Sequence, residues 1–336
     1  MSYATLVQLI KSYLKTPQPE YVFCWQGGEP ALMGEQFFRK VMKLQSKYAH
    51  THARIMNALQ TNATLITETF AKFLSKSKFL VGVSLDGPQS IHDRYRRYKK
   101  KIGSHTDTMR GIGYLTKFEA DFNILTLVSD ANVQNGKEIY TYFRDQRFFY
   151  HQYIPCVEFD KNGSPLPFTI TAEQWGDFLC EIFDEWIAYD TRRISVRLFD
   201  SIINYLVLNL KTVCQMGEDC RQYFVIEFNG DVYPCDFFVE PGLKLGNIFS
   251  ASWNQLAQSK AYLNFGKEKS RWHSQCEACK HLAYCAGDCV RHRFHESKNP
   301  PTLSWLCKGL KRFYDHAMPS FIGLAEQLKR KIPHHQ

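Results

Sequence analysis

The feature that most constrains this chain is a set of eight cysteines in its last third. They are Cys214, Cys220, Cys235, Cys276, Cys279, Cys285, Cys289 and Cys307, which make two groups of four ligands with none left over. The close Cys-x2-Cys-x5-Cys-x3-Cys run at residues 276–289 suits metal coordination better than disulfide bonding. We therefore expect iron-sulfur clusters first, zinc second and disulfides third.

Composition narrows the class of protein around these cysteines. A chain of 336 residues with 44% apolar residues buries a full core, so two domains, or a barrel with an appendage, are expected. No apolar run approaches the ~20 residues that span a bilayer. The opening apolar residues Tyr3, Leu6, Ile10 and Tyr13 have helical spacing, unlike a signal peptide. We predict a cytoplasmic protein without membrane insertion.

The formal charge of +9 raises the question of nucleic-acid binding. The densest basic run comprises Arg94, Arg96, Arg97, Lys99, Lys100 and Lys101. Nucleic-acid binders usually combine such a patch with stacking aromatics or a recognisable module, and only Tyr95 and Tyr98 offer stacking here. We interpret the run as a solvated loop and predict no nucleic-acid partner.

The first half of the chain alternates strand-like and helix-like segments. Buried strands are predicted at residues 21–26, 55–60, 80–86, 122–128 and 149–155. Helices are predicted between them at residues 37–48, 67–74, 108–118 and 136–148. Repeated βα units of this kind form a parallel sheet, either open or part of a barrel. Ligands then bind at the carboxyl ends of the strands.

Polar residues and glycines follow three of these predicted strands. Gln26, Gly27, Gly28, Glu29 and Pro30 follow the first, Gln60, Thr61 and Asn62 the second, and Ser84 and Asp86 the third. A glycine pair alone is most simply a turn. Polar residues, however, follow three neighbouring strands. Together with the glycine pair, they predict a ligand-binding rim.

The second half leads through helices into the cysteine-rich region. Two helical stretches are predicted within residues 171–210, and a last helix at residues 310–328. After Cys214, strands at residues 224–228 and 232–234 flank Asn229 and Gly230, the favoured pair for a two-residue turn. We predict two domains, residues 1–212 and residues 213–336.

The spacing of the cysteines bears on the kind of metal. One tetrahedral zinc site would need only Cys276, Cys279, Cys285 and Cys289, which leaves the other four without partners. Cuboidal 4Fe-4S clusters tolerate long, interrupted spacings, so two interleaved sites would use all eight. The remaining cysteines, Cys24, Cys156 and Cys180, are predicted to be small buried hydrophobes without a chemical role.

Several segments resemble a known family. They are residues 25–30 (WQGGEP), 59–62 (LQTN), 80–88 (LVGVSLDGP) with Ile91, His92 and Asp93, 229–238 (NGDVYPCDFF) and 245–248 (LGNI). With the cysteine spacing, they resemble the anaerobic sulfatase-maturating enzymes, which are radical S-adenosylmethionine (radical SAM) enzymes with an auxiliary-cluster (SPASM) domain. The resemblance implies an α/β fold: a partial (β/α)6 radical SAM barrel lacking its first strand, followed by a cysteine-rich SPASM domain with a β-hairpin and helices.

The resemblance also implies cofactors and their ligands. Two auxiliary 4Fe-4S clusters would be held, the first by Cys214, Cys220, Cys235 and Cys289, the second by Cys276, Cys279, Cys285 and Cys307. S-adenosyl-L-methionine would contact Gly28, Ser84, Arg96 and Val157, with Arg96 pairing with the cofactor carboxylate.

Asp236 corresponds to the general base of the family. There a 5'-deoxyadenosyl radical removes hydrogen from the β-carbon of a Cys or Ser, the base takes the thiol or hydroxyl proton, an electron passes to an auxiliary cluster, and the product is formylglycine. The implied partners are a polypeptide substrate, a sulfatase, and an external electron donor. Two alternatives stay open: a related radical SAM enzyme that modifies other peptides, or an inert iron-sulfur or zinc scaffold that binds peptides.

The sequence departs from the family pattern at several positions. The family's Cys-x3-Cys-x2-Cys loop, which holds the primary cluster, does not occur, and Cys24 is the only cysteine before residue 25. We expect from this that the chain as printed cannot start the reaction. Ala31, Ala63 and Asp288 stand where the family commonly has Thr, Gly and Gly. Ala63 is expected to alter a turn, because Gly permits positive φ at little cost.

Overall fold

The computed structural model describes residues 1–293 and 303–331, which adopt an α/β fold. The strands are β1 (Glu20–Trp25), β2 (Arg54–Thr61), β3 (Phe79–Ser84), β4 (Phe122–Val128), β5 (Tyr150–Pro155), β6 (Ser195–Val196), β7 (Val225–Ile226), β8 (Asp231–Tyr233) and β9 (Gly246–Asn247). The α-helices are α1 (Tyr3–Tyr13), α2 (Gly34–Tyr48), α3 (Glu68–Lys76), α4 (Gln89–Tyr95), α5 (His105–Lys117), α6 (Gly136–Asp145), α7 (Ala172–Tyr189), α8 (Arg197–Leu208), α9 (Trp253–Ala257), α10 (Lys260–Lys267), α11 (Ser274–Glu277), α12 (Leu282–Cys285) and α13 (Cys307–Lys329). Short 3-10 helices span Pro30–Met33, Cys214–Met216, Asp236–Phe238, Pro241–Leu243, Glu268–Ser270 and Val290–Arg293.

The chain divides into two compact units. The first unit comprises Met1–Val83, Asp107–Phe122 and Asp219–Glu268, and the second comprises Ser84–Thr106, Asn123–Glu218 and Lys269–Gln336. From β1 to β6, the order of the strands in the parallel sheet follows the chain. Repeated βα units produce this order, so the predicted α/β class is confirmed.

The five strands predicted in the first half are all present, each within two residues of its predicted bounds. The structure adds β6, which lies between α7 and α8 in a stretch predicted to be helical. β6 is only Ser195–Val196, and a strand this short shows no periodic pattern in a sequence.

Strand β1 buries mainly one of its faces. Tyr21 and Phe23 of β1 pack in a core with α1 and α2. On the opposite face Val22 lies beside Met56, and these side chains are 54% and 47% exposed. Cys24 shares that face and is also exposed, so the prediction that it is buried is wrong. The reason is that successive side chains of a strand point to opposite faces.

A small antiparallel sheet of β7, β8 and β9 also belongs to the first unit. The Glu227 N–H donates to the Asp231 carbonyl, so the loop between β7 and β8 is residues 228–230. A two-residue turn of the predicted kind needs positive φ at both Asn229 and Gly230, whereas here Gly230 has it, at +90°, and Asn229 does not. The predicted turn is therefore wrong, and the loop is a longer one with glycine at its left-handed position.

Helices α7 and α13 cross closely within the second unit. A Cβ added to Gly309 would lie 1.8 Å from the Ala172 carbonyl oxygen, and one added to Gly176 would lie 2.8 Å from Gly309. An aromatic cluster fills the space among α7, α8 and α13; its members are Phe183, Trp186, Phe199, Phe313 and Phe321. Within residues 1–293 and 303–331, no helix has the length and apolar character needed to cross a membrane.

Candidate functional site

The loop after β1 presents bare backbone. Gly27 and Gly28 have φ angles of +94° and +58°, in the region where glycine is favoured over residues with a Cβ. A Cβ added at either glycine would meet no atom within 4 Å. A ligand can therefore approach this backbone closely, as expected for Gly28.

Glu29 ties the end of β1 to the end of β2. Its carboxylate accepts hydrogen bonds from the Thr61 hydroxyl at 2.7 Å, the Asn62 N–H at 2.8 Å and the Ala31 N–H at 2.8 Å. Two of the three predicted rim segments, both in the first unit, are thus held together by one side chain. Sequence analysis included Glu29 in the rim but gave it no role.

Asp236, the predicted general base, begins a 3-10 helix directly after Cys235. Its Oδ1 accepts a hydrogen bond from the Tyr223 hydroxyl at 2.8 Å and one from the Cys235 thiol at 3.3 Å. Its Oδ2 lies 3.3 Å from Nε2 of Gln26, at the end of β1. The first unit therefore brings the predicted base, a predicted cluster ligand and the first rim segment together, as the sequence alone could not show.

Tyr223 is a functional candidate that sequence analysis missed. Burial raises its pKa well above the ordinary value, and the nearby Cys235 and Asp236 raise it further. The hydroxyl therefore stays protonated and remains a donor to Asp236. No pattern around Tyr223 distinguishes it in the sequence from an ordinary residue before a short strand.

In the second unit, Arg96 forms a two-pronged ion pair with Asp86. Nε of the guanidinium donates to one oxygen of the Asp86 carboxylate, and a terminal nitrogen donates to the other oxygen at 3.0 Å. Asp86 also accepts the Leu127 N–H from β4 at 3.0 Å. Arg96 is therefore fixed at the strand ends near Ser84. Its partner Asp86 could not be predicted from the sequence.

His92 stabilises the Arg96–Asp86 ion pair through hydrogen bonds. The Asp86 N–H donates to its Nδ1 at 3.3 Å, which makes Nδ1 the unprotonated nitrogen, and its Nε2 faces the Ser104 hydroxyl at 3.1 Å. Ser104 in turn donates to the Arg96 carbonyl at 2.9 Å. Burial lowers the pKa of His92 to about 4, so the ring is neutral at pH 7. The sequence match included His92 without assigning it a task.

Val157 is buried two residues after the end of β5. Its neighbour Cys156 is also buried, as predicted, and burial raises the pKa of that thiol to about 11. Val157 therefore offers backbone and an apolar side chain near a strand end of the second unit. Cys180 of α7 is half-buried.

Four of the predicted cluster ligands line one cavity. Cys276, Cys279, Cys285 and Cys307 all face it, within the second unit. Burial raises the pKa of Cys276, Cys285 and Cys307, to about 12 for Cys285. Metal binding would therefore have to displace protons from these thiols.

The other predicted set is distributed over both units. Cys214 and Cys289 belong to the second unit, where the charge of one affects the pKa of the other, and Cys220 and Cys235 belong to the first. All eleven cysteines lie in the described ranges, and none of them forms a disulfide bond there.

Comparison with known proteins decides the family. Residues 214–280 match the SPASM iron-sulfur cluster-binding domain. The chain is 36% identical to the serine-type anaerobic sulfatase-maturating enzyme of Bacteroides thetaiotaomicron, over 98% of this chain and 83% of that enzyme. This chain belongs to the anaerobic sulfatase-maturating enzyme family. It is also 34% identical to the cysteine-type enzyme of Clostridium perfringens, over 96% of this chain and 88% of that enzyme.

Solved structures agree with this family membership. The fold matches native anSMEcpe with bound AdoMet and the Kp18Cys peptide, with a TM-score of 0.92 and 33% identity over 97% of this chain and 91% of that one. It also matches Streptococcus suis SuiB bound to S-adenosylmethionine at a TM-score of 0.60, with 16% identity over 90% of this chain and 68% of that one. That second likeness concerns the fold alone. The predicted radical SAM fold and SPASM region are thus confirmed.

Proposed function

We propose that this member of the family oxidises a Cys or Ser of a sulfatase polypeptide to formylglycine, using S-adenosyl-L-methionine and 4Fe-4S clusters. The observation that carries the proposal is the Asp236 carboxylate, held between Tyr223 and Gln26 and directly following Cys235. Relatives of both the serine type and the cysteine type match over most of the chain, so either target is compatible with this family membership.

The cavity in the second unit has a donor set that fits a 4Fe-4S cluster. Four cysteine thiols line it, and such a cluster binds each of four cysteines through a different iron. The match of residues 214–280 to an iron-sulfur cluster-binding domain favours a cluster over a zinc ion held by cysteine thiols.

Gly28, Ser84, Arg96 and Val157 are the proposed contacts of S-adenosyl-L-methionine, which would supply a hydrogen-abstracting radical when a reduced 4Fe-4S cluster donates one electron to it. Gly28 offers exposed backbone. Arg96 has five N–H donors, of which Asp86 engages two, so others are available for a cofactor carboxylate. His92 and Ser104 hold this arrangement in place through hydrogen bonds with the Asp86 N–H and the Arg96 carbonyl.

Asp236 is the proposed acceptor of the substrate thiol or hydroxyl proton. The Tyr223 hydroxyl donates to Oδ1 at 2.8 Å, whereas Oδ2 accepts a longer hydrogen bond, at 3.3 Å, from Gln26. Oδ2 is therefore the oxygen that receives the proton. The Tyr223 hydroxyl fixes the orientation of the carboxylate while Oδ2 takes up the proton.

The test is an Asp236→Asn variant, compared with a Glu227→Gln control in the same hairpin. Each protein is reconstituted anaerobically and incubated with peptides that carry a Cys or a Ser target, an external reductant and S-adenosyl-L-methionine. If the wild-type chain forms formylglycine, measured by mass spectrometry, we expect Asp236→Asn to keep its iron and lose that product, with the control unchanged. A wild-type chain that forms neither 5'-deoxyadenosine nor formylglycine would agree with the expectation drawn from the missing Cys-x3-Cys-x2-Cys motif. Wild-type rates in Asp236→Asn would remove Asp236 from the mechanism.

The same experiment separates the alternatives. Release of 5'-deoxyadenosine without formylglycine would favour a related radical SAM enzyme with another peptide target. Binding of the peptide by the iron-loaded wild-type chain without any 5'-deoxyadenosine would favour an inert peptide-binding scaffold.

A further inference from the structure

The loop that joins Cys285 to Cys289 has an unusual backbone. Its residues Ala286, Gly287 and Asp288 have φ angles of +45°, +70° and +63°. Left-handed backbone is unfavourable for residues that carry a Cβ, so contacts outside the loop must stabilise it. The loop matters because Cys285 belongs to one predicted ligand set and Cys289 to the other.

Two buried cations provide those contacts. The Arg293 guanidinium donates to all three carbonyl oxygens of the loop, at distances of 2.7 to 3.1 Å. The Lys269 ammonium donates to the carbonyl oxygens of Ala286, at 3.1 Å, and Asp288, and also to that of Gln215 at 2.9 Å. Lys269 is 1% exposed and Arg293 is 4% exposed. Their charges therefore act in surroundings of low dielectric constant.

The loop also carries a buried negative charge. The Asp288 carboxylate is 4% exposed and accepts hydrogen bonds from the Ser304 hydroxyl at 2.6 Å and from His292 Nδ1 at 2.8 Å. These two donors suit an ionised carboxylate, which can only accept hydrogen bonds, so we take Asp288 as the negative charge of the loop.

The charges of Lys269 and Asp288 both lie at the loop that separates the predicted ligands Cys285 and Cys289. Asp288 directly precedes Cys289 in the chain. The Lys269 ammonium donates to the carbonyl oxygens of Ala286, which directly follows Cys285, and of Asp288. A cluster bound through these sulfurs would feel these two opposite charges, because its potential depends on nearby charge and hydrogen bonding.

We propose that Lys269 and Asp288 form an opposed charge pair that sets the reduction potential of the clusters held through Cys285 and Cys289. The proposal rests on the cluster binding of the proposed function. Reduction of a cluster takes one electron from a reductant and adds one negative charge to the cluster. Lys269 favours that added charge and Asp288 opposes it, while Arg293 holds the loop that carries both ligands.

The test measures potentials in variants whose charges change in opposite directions. The chain is reconstituted anaerobically with iron and sulfide, its iron is counted, and reduction by dithionite is followed by electron paramagnetic resonance. Asp288→Asn keeps a residue that tolerates left-handed backbone and can accept hydrogen bonds. We expect it to favour reduction at least about tenfold, a rise of about 59 mV for one electron.

Lys269→Met should shift the potentials in the opposite direction, and Lys269→Arg, which keeps the charge, should leave them near the wild-type values. Asp145→Asn removes an exposed carboxylate, paired with Arg144, and serves as the control without a shift. Should Lys269→Met fail to fold, Asp288→Asn decides the matter alone.

Three outcomes would contradict the inference. Shifts of the same sign in Asp288→Asn and Lys269→Met would mean a structural role for both residues. Unchanged potentials in a fully loaded Asp288→Asn would refute the charge pair and leave the proposed function standing. A wild-type chain that binds no iron would overturn the proposed function and this inference together.

Discussion

The chemistry proposed for Asp236 depends on a tyrosine thirteen positions upstream, whose hydroxyl contacts its carboxylate. The Tyr223 hydroxyl donates to Oδ1 at 2.8 Å, and its raised pKa keeps it protonated as a donor. Asp236 itself could be predicted, because it directly follows a cysteine in a recognisable segment. Tyr223 could not, since its role arises only when the hairpin brings the two side chains together.

Substituting Tyr223 by Phe should weaken catalysis and preserve cluster binding. The variant loses one hydrogen bond to a charged acceptor, worth about 1.5–3 kcal/mol, and so about ten- to hundredfold in kcat if the bond orients the base. The measurement is formylglycine formation at saturating peptide, with iron content as the check on folding. A double variant with Asp236→Asn should be no slower than Asp236→Asn alone, and additive losses would show that Tyr223 acts independently of Asp236.

His92 makes the stability of the second unit depend on pH. Its pKa is about 4 in the folded chain, against about 6.5 when unfolded. Burial is the main cause; Asp86 and Asp93 raise the pKa, and Arg96 and His105 lower it. Between these two pKa values the unfolded chain binds a proton that the folded chain does not. The contribution of His92 to the free energy of unfolding is therefore present above pH 6.5 and is lost as the pH falls towards 4.

The free energy of unfolding should therefore fall by about 1 kcal/mol from His92 alone between pH 7.5 and pH 5.5. In His92→Gln this part of the pH dependence should disappear, which urea unfolding at the two pH values can measure. His151, whose pKa burial also lowers to about 4, remains in both proteins and cancels in the comparison. Parallel pH profiles for wild type and variant would contradict a buried neutral His92.

Among the elements, the close crossing of α7 and α13 depends on two glycines, which have no side chain. Gly176 of α7 meets Gly309 of α13, and the Gly309 backbone lies against the Ala172 carbonyl. Glycine is a poor helix former, so its presence inside both helices indicates that the close approach outweighs the lost helix propensity. Elsewhere along the same two helices, Phe183 of α7 packs against Phe313 and Phe321 of α13.

Gly309→Ala should destabilise the chain by about 1–3 kcal/mol, because its Cβ would lie 1.8 Å from the Ala172 oxygen and force the helices apart. Gly323→Ala, on the same helix, is the matched control, since a Cβ there meets no atom within 4 Å. That control should be neutral or more stable by up to about 1 kcal/mol. Thermal unfolding of both variants gives the comparison, and equal shifts would refute the close crossing.

Periodicity explains which elements the sequence could predict. Strands β1 to β5 each carry enough alternating or apolar residues to be recognised, and α13 is an amphipathic helix of 23 residues. β6 has only Ser195 and Val196, and becomes a strand because β5 provides a partner. The loop before β8 was predicted wrongly because the pair Asn229 and Gly230 fits more than one loop length.

For the whole molecule, the number of cysteines predicted iron-sulfur binding but did not predict which cysteines lie together. The sequence gives eight candidate ligands, but which of them share a cavity depends on the fold. Cys276, Cys279, Cys285 and Cys307 line one cavity even though Cys307 is 22 residues beyond Cys285 in the sequence. The family pattern predicted this grouping, whereas local spacing alone favoured Cys289 as the fourth member.

The metal content of the reconstituted chain tests this grouping. Two 4Fe-4S clusters correspond to about eight iron and eight acid-labile sulfide per chain. Cys279→Ser should lower both towards about four, because it removes one ligand from the cavity in the second unit and leaves the other set intact. Cys180→Ser, which changes a cysteine of α7 outside both sets, should keep the wild-type values. Two zinc ions without sulfide would refute the clusters, and equal iron losses in the two variants would refute the assignment of Cys279 as a ligand.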